Sequence, residues 1–138
     1  MDETVIVIML KDKKSGFLEK ELSSYHLGEQ QNIILNIYAE QTEQNKITIF
    51  MKLTCEKDVE DWEYNAILDY YDTETVKPFV DTIEEIEEEY NPVWLVTFPF
   101  LENQQEMEQK LCSILQAHQK ELYSVYEVIA EKKDDYIE

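Results

Sequence analysis

The sequence predicts a single α+β domain, a mainly antiparallel sheet of about five strands with one long C-terminal helix packed on one face. Three observations carry that reading. Residues 102–133 place apolar side chains at helical spacing with no Gly or Pro among them. Residues 4–10 and 46–54 are rich in Val and Ile and read as strands. The chain has 138 residues, of which 43% are hydrophobic, so it is the size of one domain and can bury a core without staples.

Thr4–Leu10 is a continuous apolar run, the mark of a strand buried on both faces. Lys11–Gly16 is a turn in which Gly16 can take the left-handed conformation of a short hairpin loop. Phe17–His26 is then the return strand, carrying Leu18, Leu22 and Tyr25, and Gly28 breaks it. In Gln30–Ala39 the residues Ile33, Ile34, Ile37 and Tyr38 follow helical spacing, so a helix is expected there. Lys46–Thr54 alternates Ile47, Ile49, Met51 and Leu53 against Thr48, Lys52 and Thr54, the pattern of a half-buried strand.

Trp62–Tyr71 fits two periods. Trp62, Tyr64, Ala66, Leu68 and Tyr70 alternate as a strand, whereas Val59, Trp62, Ala66, Ile67 and Tyr70 fit a helix. Aromatic enrichment favours a strand that pairs with 46–54. Thr82 and Glu85 are spaced as a capping box, which predicts a short helix through Tyr90 that ends at Asn91-Pro92. Val93–Phe100 reads as a strand, and Pro99 places it at an edge or a bulge. The C-terminal helix should bury Leu111, Leu115, Leu122, Val125 and Ile129, with His118 at the margin of the seam. The expected order is ββαββαβα over residues 1–133, followed by a short acidic tail, 134–138.

Charge is the strongest signal outside the fold. The chain carries 31 acids and 12 lysines, no arginine, and a net charge of −19. Residues 56–102 alone hold 15 acids, 2 lysines and nine of the sixteen aromatic residues. Such a field repels nucleic acid and anionic membrane and attracts basic partners. Without arginine, bidentate recognition of phosphate or carboxylate by the chain itself is also disfavoured.

Several chemistries are excluded or unsupported. Two glycines cannot write a Walker loop or a dinucleotide fingerprint, which excludes those motifs and only those, and no cofactor is assigned. His26 and His118 lie in no local catalytic signature, and no catalytic residue is assigned. The acids Asp58, Glu60, Asp61, Asp69, Asp72 and Glu74 are suitable oxygen ligands, but the position where an EF-hand needs Gly is Glu63, so no metal site is assigned. Cys55 and Cys112 lie 57 positions apart, neither a metal nor a redox spacing, and read as reduced thiols of a cytoplasmic protein. The apolar runs are too short for a signal core or a membrane helix.

What remains is a non-enzymatic binding or regulatory module. Its expected partner is a basic protein surface, docked through Asp58, Glu60, Asp61, Tyr71, Glu84, Glu85, Glu87, Glu88, Glu89 and Tyr90. Tyr71 and Tyr90 enter as rings that, if exposed among carboxylates, would hold Lys or Arg. The alternative is a nucleic-acid mimic whose carboxylates replace phosphates on a DNA- or RNA-binding protein, and a third reading is an enzyme with an unrecognised site. The chain is expected to be a monomer or a weak homodimer, because the 111–129 stripe also follows alternating four- and three-residue steps.

Overall fold

In the computed structural model the described residues are 6–11, 18–25, 28–41, 46–87 and 89–136. They form an α+β domain. Six strands make one mixed sheet: β1 (Ile6–Lys11), β2 (Leu18–Tyr25), β3 (Ile34–Gln41), β4 (Ile47–Leu53), β5 (Thr82–Ile86) and β6 (Val93–Pro99). Their order across the sheet is β2-β1-β3-β4-β6-β5. Every pairing is antiparallel except β1 with β3, which is parallel. The helices are α1 (Asp61–Tyr70), α2 (Gln104–Ile129) and the single turn α3 (Lys133–Tyr136).

The alternation read in 46–54 is the β4 strand. Ile49, Met51 and Leu53 are fully buried, and they pair in register with Phe98, Val96 and Trp94 of β6. Against this face lies α2, 26 residues and so roughly 39 Å long. Asn103 caps its start by accepting from the Glu106 N–H at 3.0 Å. Gln104 ties that end to β2, donating to the Ser24 carbonyl at 2.7 Å and accepting from the Ser23 hydroxyl at 2.8 Å. All five expected core residues of the helix are buried, together with Met107, Ile114 and His118. The stripe is therefore spent on the intramolecular core.

Four segments depart from the sequence reading, each for a physical reason. Residues 30–39 are not an α-helix. A 3-10 helix, Gly28–Ile33, leads into β3. The β3–β4 register shifts between Ile34 and Asn36, and this irregularity breaks the alternation that would have marked a strand.

Residues 62–70 belong to the helix α1 rather than to a strand, and Tyr71 caps its end. The Glu60 N–H donates to Glu63 Oε1 at 3.1 Å, which starts the helix, and Ala66 and Ile67 are fully buried. Residues 82–90 are not a capped helix. Thr82–Ile86 form the edge strand β5, and the Thr82 hydroxyl bonds the Thr97 hydroxyl across the ladder at 2.6 Å instead of capping a turn. The expected ββαββαβα order thus becomes ββββαββαα, and the expected five strands become six.

The acidic end is also not a free tail throughout. Lys133–Tyr136 form a helical turn whose Tyr136 hydroxyl donates to Asp69 Oδ2 at 2.7 Å. The 11–16 turn lies mostly outside the described residues, and His26 lies outside them, but the antiparallel β1–β2 pairing agrees with a hairpin. Pro99 ends the internal strand β6 beyond Thr97, where β5 has already stopped, so its missing N–H leaves no ladder bond to β5 unmade.

Charge remains poorly compensated in the fold. Among the described residues four ion pairs form, Lys52–Glu89, Lys57–Glu63, Lys77–Glu74 and Lys133–Glu60, all solvent-accessible. Screening should therefore stabilise the protein, because the Debye length falls from ~10 Å at 0.1 M salt to ~3 Å at 1 M. A graded NaCl series at neutral pH is expected to raise the melting temperature. A flat or falling series would show that the negative charges do not repel one another appreciably in the folded state.

Candidate functional site

The first turn of α1 and the chain leaving β5 stand side by side at one edge of the sheet. Two side-chain bonds brace them. Asn91 Oδ1 accepts from the Val59 N–H at 3.1 Å, and Asn91 Nδ2 donates to Asp58 Oδ1 at 3.2 Å. Between the braced segments lies a wide, shallow cleft of about 510 Å³, open to solvent and lined by Asp61, Tyr64, Asn65, Glu89 and Tyr90. Asp61, Tyr64 and Asn65 share the cleft because positions i, i+3 and i+4 of a helix lie on one face.

The cleft is acidic and aromatic together. Tyr90 is 79% exposed. The Tyr64 phenol is pushed above its ordinary value, first by burial and then by the charges of Glu89, Glu85 and Glu87. The charges of those three carboxylates therefore reach the same phenol. Lys52 approaches Glu89 at 3.8 Å from the sheet side.

The ten residues expected to bind a partner are only partly gathered here. Asp61, Glu89 and Tyr90 line the cleft, with Glu85 and Glu87 close enough to act on Tyr64. Asp58 is held by Asn91, and Glu60 accepts from the Trp62 indole N–H at 2.6 Å and pairs with Lys133, so both brace the rim. Glu84 pairs with Leu95 on the opposite face of β5 from Ile83, away from the helices. Glu88 lies outside the described residues.

Tyr71 is not a surface ring. It is 7% exposed and stacks on Trp94 at 4.2 Å between centroids. The sequence reading missed Tyr64, Asn65 and Asn91. The first two would have followed from reading 61–70 as a helix, since Asp61 then points along the same face.

A second polar constellation is wholly internal. The Tyr71 hydroxyl lies 2.8 Å from His118 Nδ1, and His118 Nε2 lies 2.8 Å from the Thr54 carbonyl. A carbonyl only accepts, so Nε2 carries the proton and Tyr71 donates to Nδ1. The Thr54 hydroxyl extends the chain by donating to the Pro92 carbonyl at 2.9 Å. His118 is fully buried, not marginal as expected, and burial pushes its imidazole down from 6.5 to about 4. It is therefore neutral at pH 7. The network joins α2, the end of α1, the end of β4 and the start of β6. Its polar groups are satisfied pairwise, as buried polar groups must be.

Cys55 and Cys112 are unbridged. Burial pushes the Cys55 thiol up to about 11, and it raises the Cys112 thiol as well, so both stay protonated and weakly nucleophilic at neutral pH. Among the described residues no group of three or more His, Cys, Asp or Glu side chains is placed to hold a metal ion. No helix among them is long and apolar enough to cross a membrane.

Neither the curated proteins nor the solved structures contain a match to this chain. A family model does match it, over residues 1–137, and on that coverage the chain belongs to the family described as Family of unknown function (DUF6762).

Proposed function

We propose that the protein is a non-enzymatic binding or regulatory module that takes a Lys or Arg side chain of a basic protein surface into the Asp61–Tyr64–Glu89–Tyr90 cleft. One observation carries the reading: an exposed tyrosine and a half-buried one flank two carboxylates in a cleft large enough for such a side chain. A cation over an exposed ring is worth about 0.5–1 kcal/mol, and an exposed ion pair about 0.2–1 kcal/mol. One site is therefore weak alone. The surrounding field supplies the rest by steering a basic partner into encounter.

The alternation of rings with carboxylates supports protein docking over nucleic-acid mimicry. A mimic needs rows of carboxylates on one continuous face, whereas Glu84 and Glu85 point to opposite sides of β5. Two unbridged cysteines suit the reducing cytoplasm, which is the compartment proposed for this module.

The test compares two substitutions of equal charge change. A lysine-rich peptide is titrated into the full-length protein and followed by NMR. Shifts should centre on Asp61, Tyr64 and Tyr90. Asp61→Lys should weaken binding about tenfold, whereas Glu84→Lys, on the other face, should have a much smaller effect. Equal losses from both variants would mean that the peptide reads bulk charge and not the cleft.

A further inference from the structure

The sheet has a second face, and it differs from the rest of the molecule. Val7, Met9, Tyr38, Phe50, Leu95 and Ile86 belong neither to the buried core nor to the side chains packed against it. Register explains why. Phe50 lies between Ile49 and Met51, which face the helices, and it pairs with Tyr38 on one side and Thr97 on the other. Tyr38 and Phe50 stack at 5.3 Å with their planes 6° apart, and Lys11 sits 4.8 Å above the Tyr38 ring. The described helices pack on the opposite face, and of these six residues Val7 is exposed and the other five are half-buried.

This face has also lost the acidic excess of the chain. By the same alternation its described charges are Lys11 and Lys52 against Glu21, Glu40 and Glu84, and with Glu89 reaching Lys52 at 3.8 Å from the rim the net is −2 on a chain of −19. A second copy of this chain is repelled almost everywhere else.

We propose that this open sheet face is a homodimer interface, occupied by the same face of a second copy. The registers allow it without opposing like charges. Consider a two-fold axis lying in the interface, parallel to the strands and midway between β3 and β4. It sets Tyr38 over Phe50 of the second copy and Val7 over its Leu95. Lys52 then meets Asn36, Lys11 meets Pro99, and Glu84 meets Ser24. Two such sheets stack ~10 Å apart, with their strands about 30° from parallel.

The size of the face sets the strength. Five gaps of ~4.8 Å and seven residues of ~3.3 Å give a flat area of roughly 550 Å². Side chains raise this toward the ~800 Å² per partner of an ordinary stable interface. The dimer is therefore a weak one, with a Kd of roughly micromolar order. It also tightens with salt, because two chains of −19 repel at long range. A salt response of that sign separates this interface from the acidic cleft, whose binding salt weakens.

Sedimentation equilibrium of the full-length protein tests the proposal, at loading concentrations from about 1 µM to about 1 mM. The expected result is a monomer–dimer equilibrium that shifts toward dimer as NaCl rises. Phe50→Lys should raise the Kd more than tenfold, because it buries an unpaired charge at the centre of the face. Tyr90→Ala, in the cleft, should leave the Kd unchanged.

Concentration-dependent hydrogen exchange of the wild type reports the same contact without mutation, should Phe50→Lys fold poorly. Protection should grow with concentration in β3, β4 and β6. A wild-type protein that stays monomeric to the top of the range would overturn the proposal. So would a Phe50→Lys dimer as tight as wild type, or concentration-dependent protection confined to α2.

Discussion

Trp94→Ala should destabilise the protein by about 3–5 kcal/mol, the range for truncating a fully buried large aromatic. Trp94 is 0% exposed, and its ring is held between Tyr71, stacked at 4.2 Å, and His118, edge-on at 5.2 Å. Removing it opens a cavity against both partners of the internal hydrogen-bond network. The conservative Trp94→Phe should cost far less, for a specific reason. The Trp94 indole N–H is buried and has no hydrogen-bond partner among the described residues. An orphaned donor of that kind costs about 1–3 kcal/mol, and phenylalanine removes the donor while keeping a ring on Tyr71. Denaturant unfolding of the two variants beside wild type checks this. If Trp94→Phe lost as much as Trp94→Ala, the volume of the indole and not the presence of a ring would be what Tyr71 requires.

The parts of the fold that were legible in sequence are those where periodicity was both long and unbroken. In α2, eight buried positions fall on one stripe, which no competing pattern can imitate. In β4 Ile49, Met51 and Leu53 are buried in alternation, with Ile47 partly buried at the start. The misread segments are short, or interrupted, or carry a pattern that two structures share. Ile33, Ile34 and Ile37 look helical because Ile33 closes a 3-10 helix and the register shift between Ile34 and Asn36 lets Ile34 and Ile37, three apart, both pack on the core from β3. In 82–86 the Thr-x-x-Glu spacing is that of a cap. A five-residue segment gains more from the β6 ladder than from an isolated helical turn, whose nucleation is unfavourable. In 61–70 aromatic content favoured a strand, yet the residues that the core takes are Ala66 and Ile67, which are adjacent and cannot share one face of a strand.

The candidate site was legible as a region and not as a geometry. Acidity and aromatic content located it within residues 58–90, and Asp61, Glu89 and Tyr90 do line the cleft. Which acids converge depends on the element each occupies. Once β5 is a strand, Glu84 and Glu85 separate to opposite faces and cannot dock one partner side by side. Tyr71 was indistinguishable from Tyr90 by composition. Its position one residue beyond α1, beside Trp94 and His118, buries it. The open sheet face left no mark in sequence, because its residues are spread over several strands and become neighbours only through register.

The internal histidine makes stability depend on pH in a way the surface carboxylates do not. His118 has an ordinary value of 6.5 and is pushed down to about 4 by burial, partly offset by its bond to the Thr54 carbonyl. Above pH ~6.5 the imidazole is neutral in both folded and unfolded chains, and the fold keeps its full stability. As the pH falls from ~6.5 to ~4 the unfolded chain takes up a proton that the folded chain refuses, so stability is lost at about 1.4 kcal/mol per unit, roughly 3 kcal/mol in all. Below that window the folded state also protonates, and this loss stops. Acidification has an opposing effect, because protonating the acids of a −19 chain relieves self-repulsion. The raw profile therefore mixes two trends, and a non-titrating variant separates them. In His118→Gln the amide can still donate to Thr54 and accept from Tyr71, so the variant should fold, with a cost at neutral pH of about 1–3 kcal/mol for altered packing and hydrogen-bond geometry. Urea unfolding of both proteins at about pH 7 and about pH 4 should show the gap between them closing, or reversing in favour of the variant, at the acid end. Parallel profiles would mean that His118 gains no proton on unfolding across that range, and the buried neutral imidazole would then not be the source of the acid sensitivity.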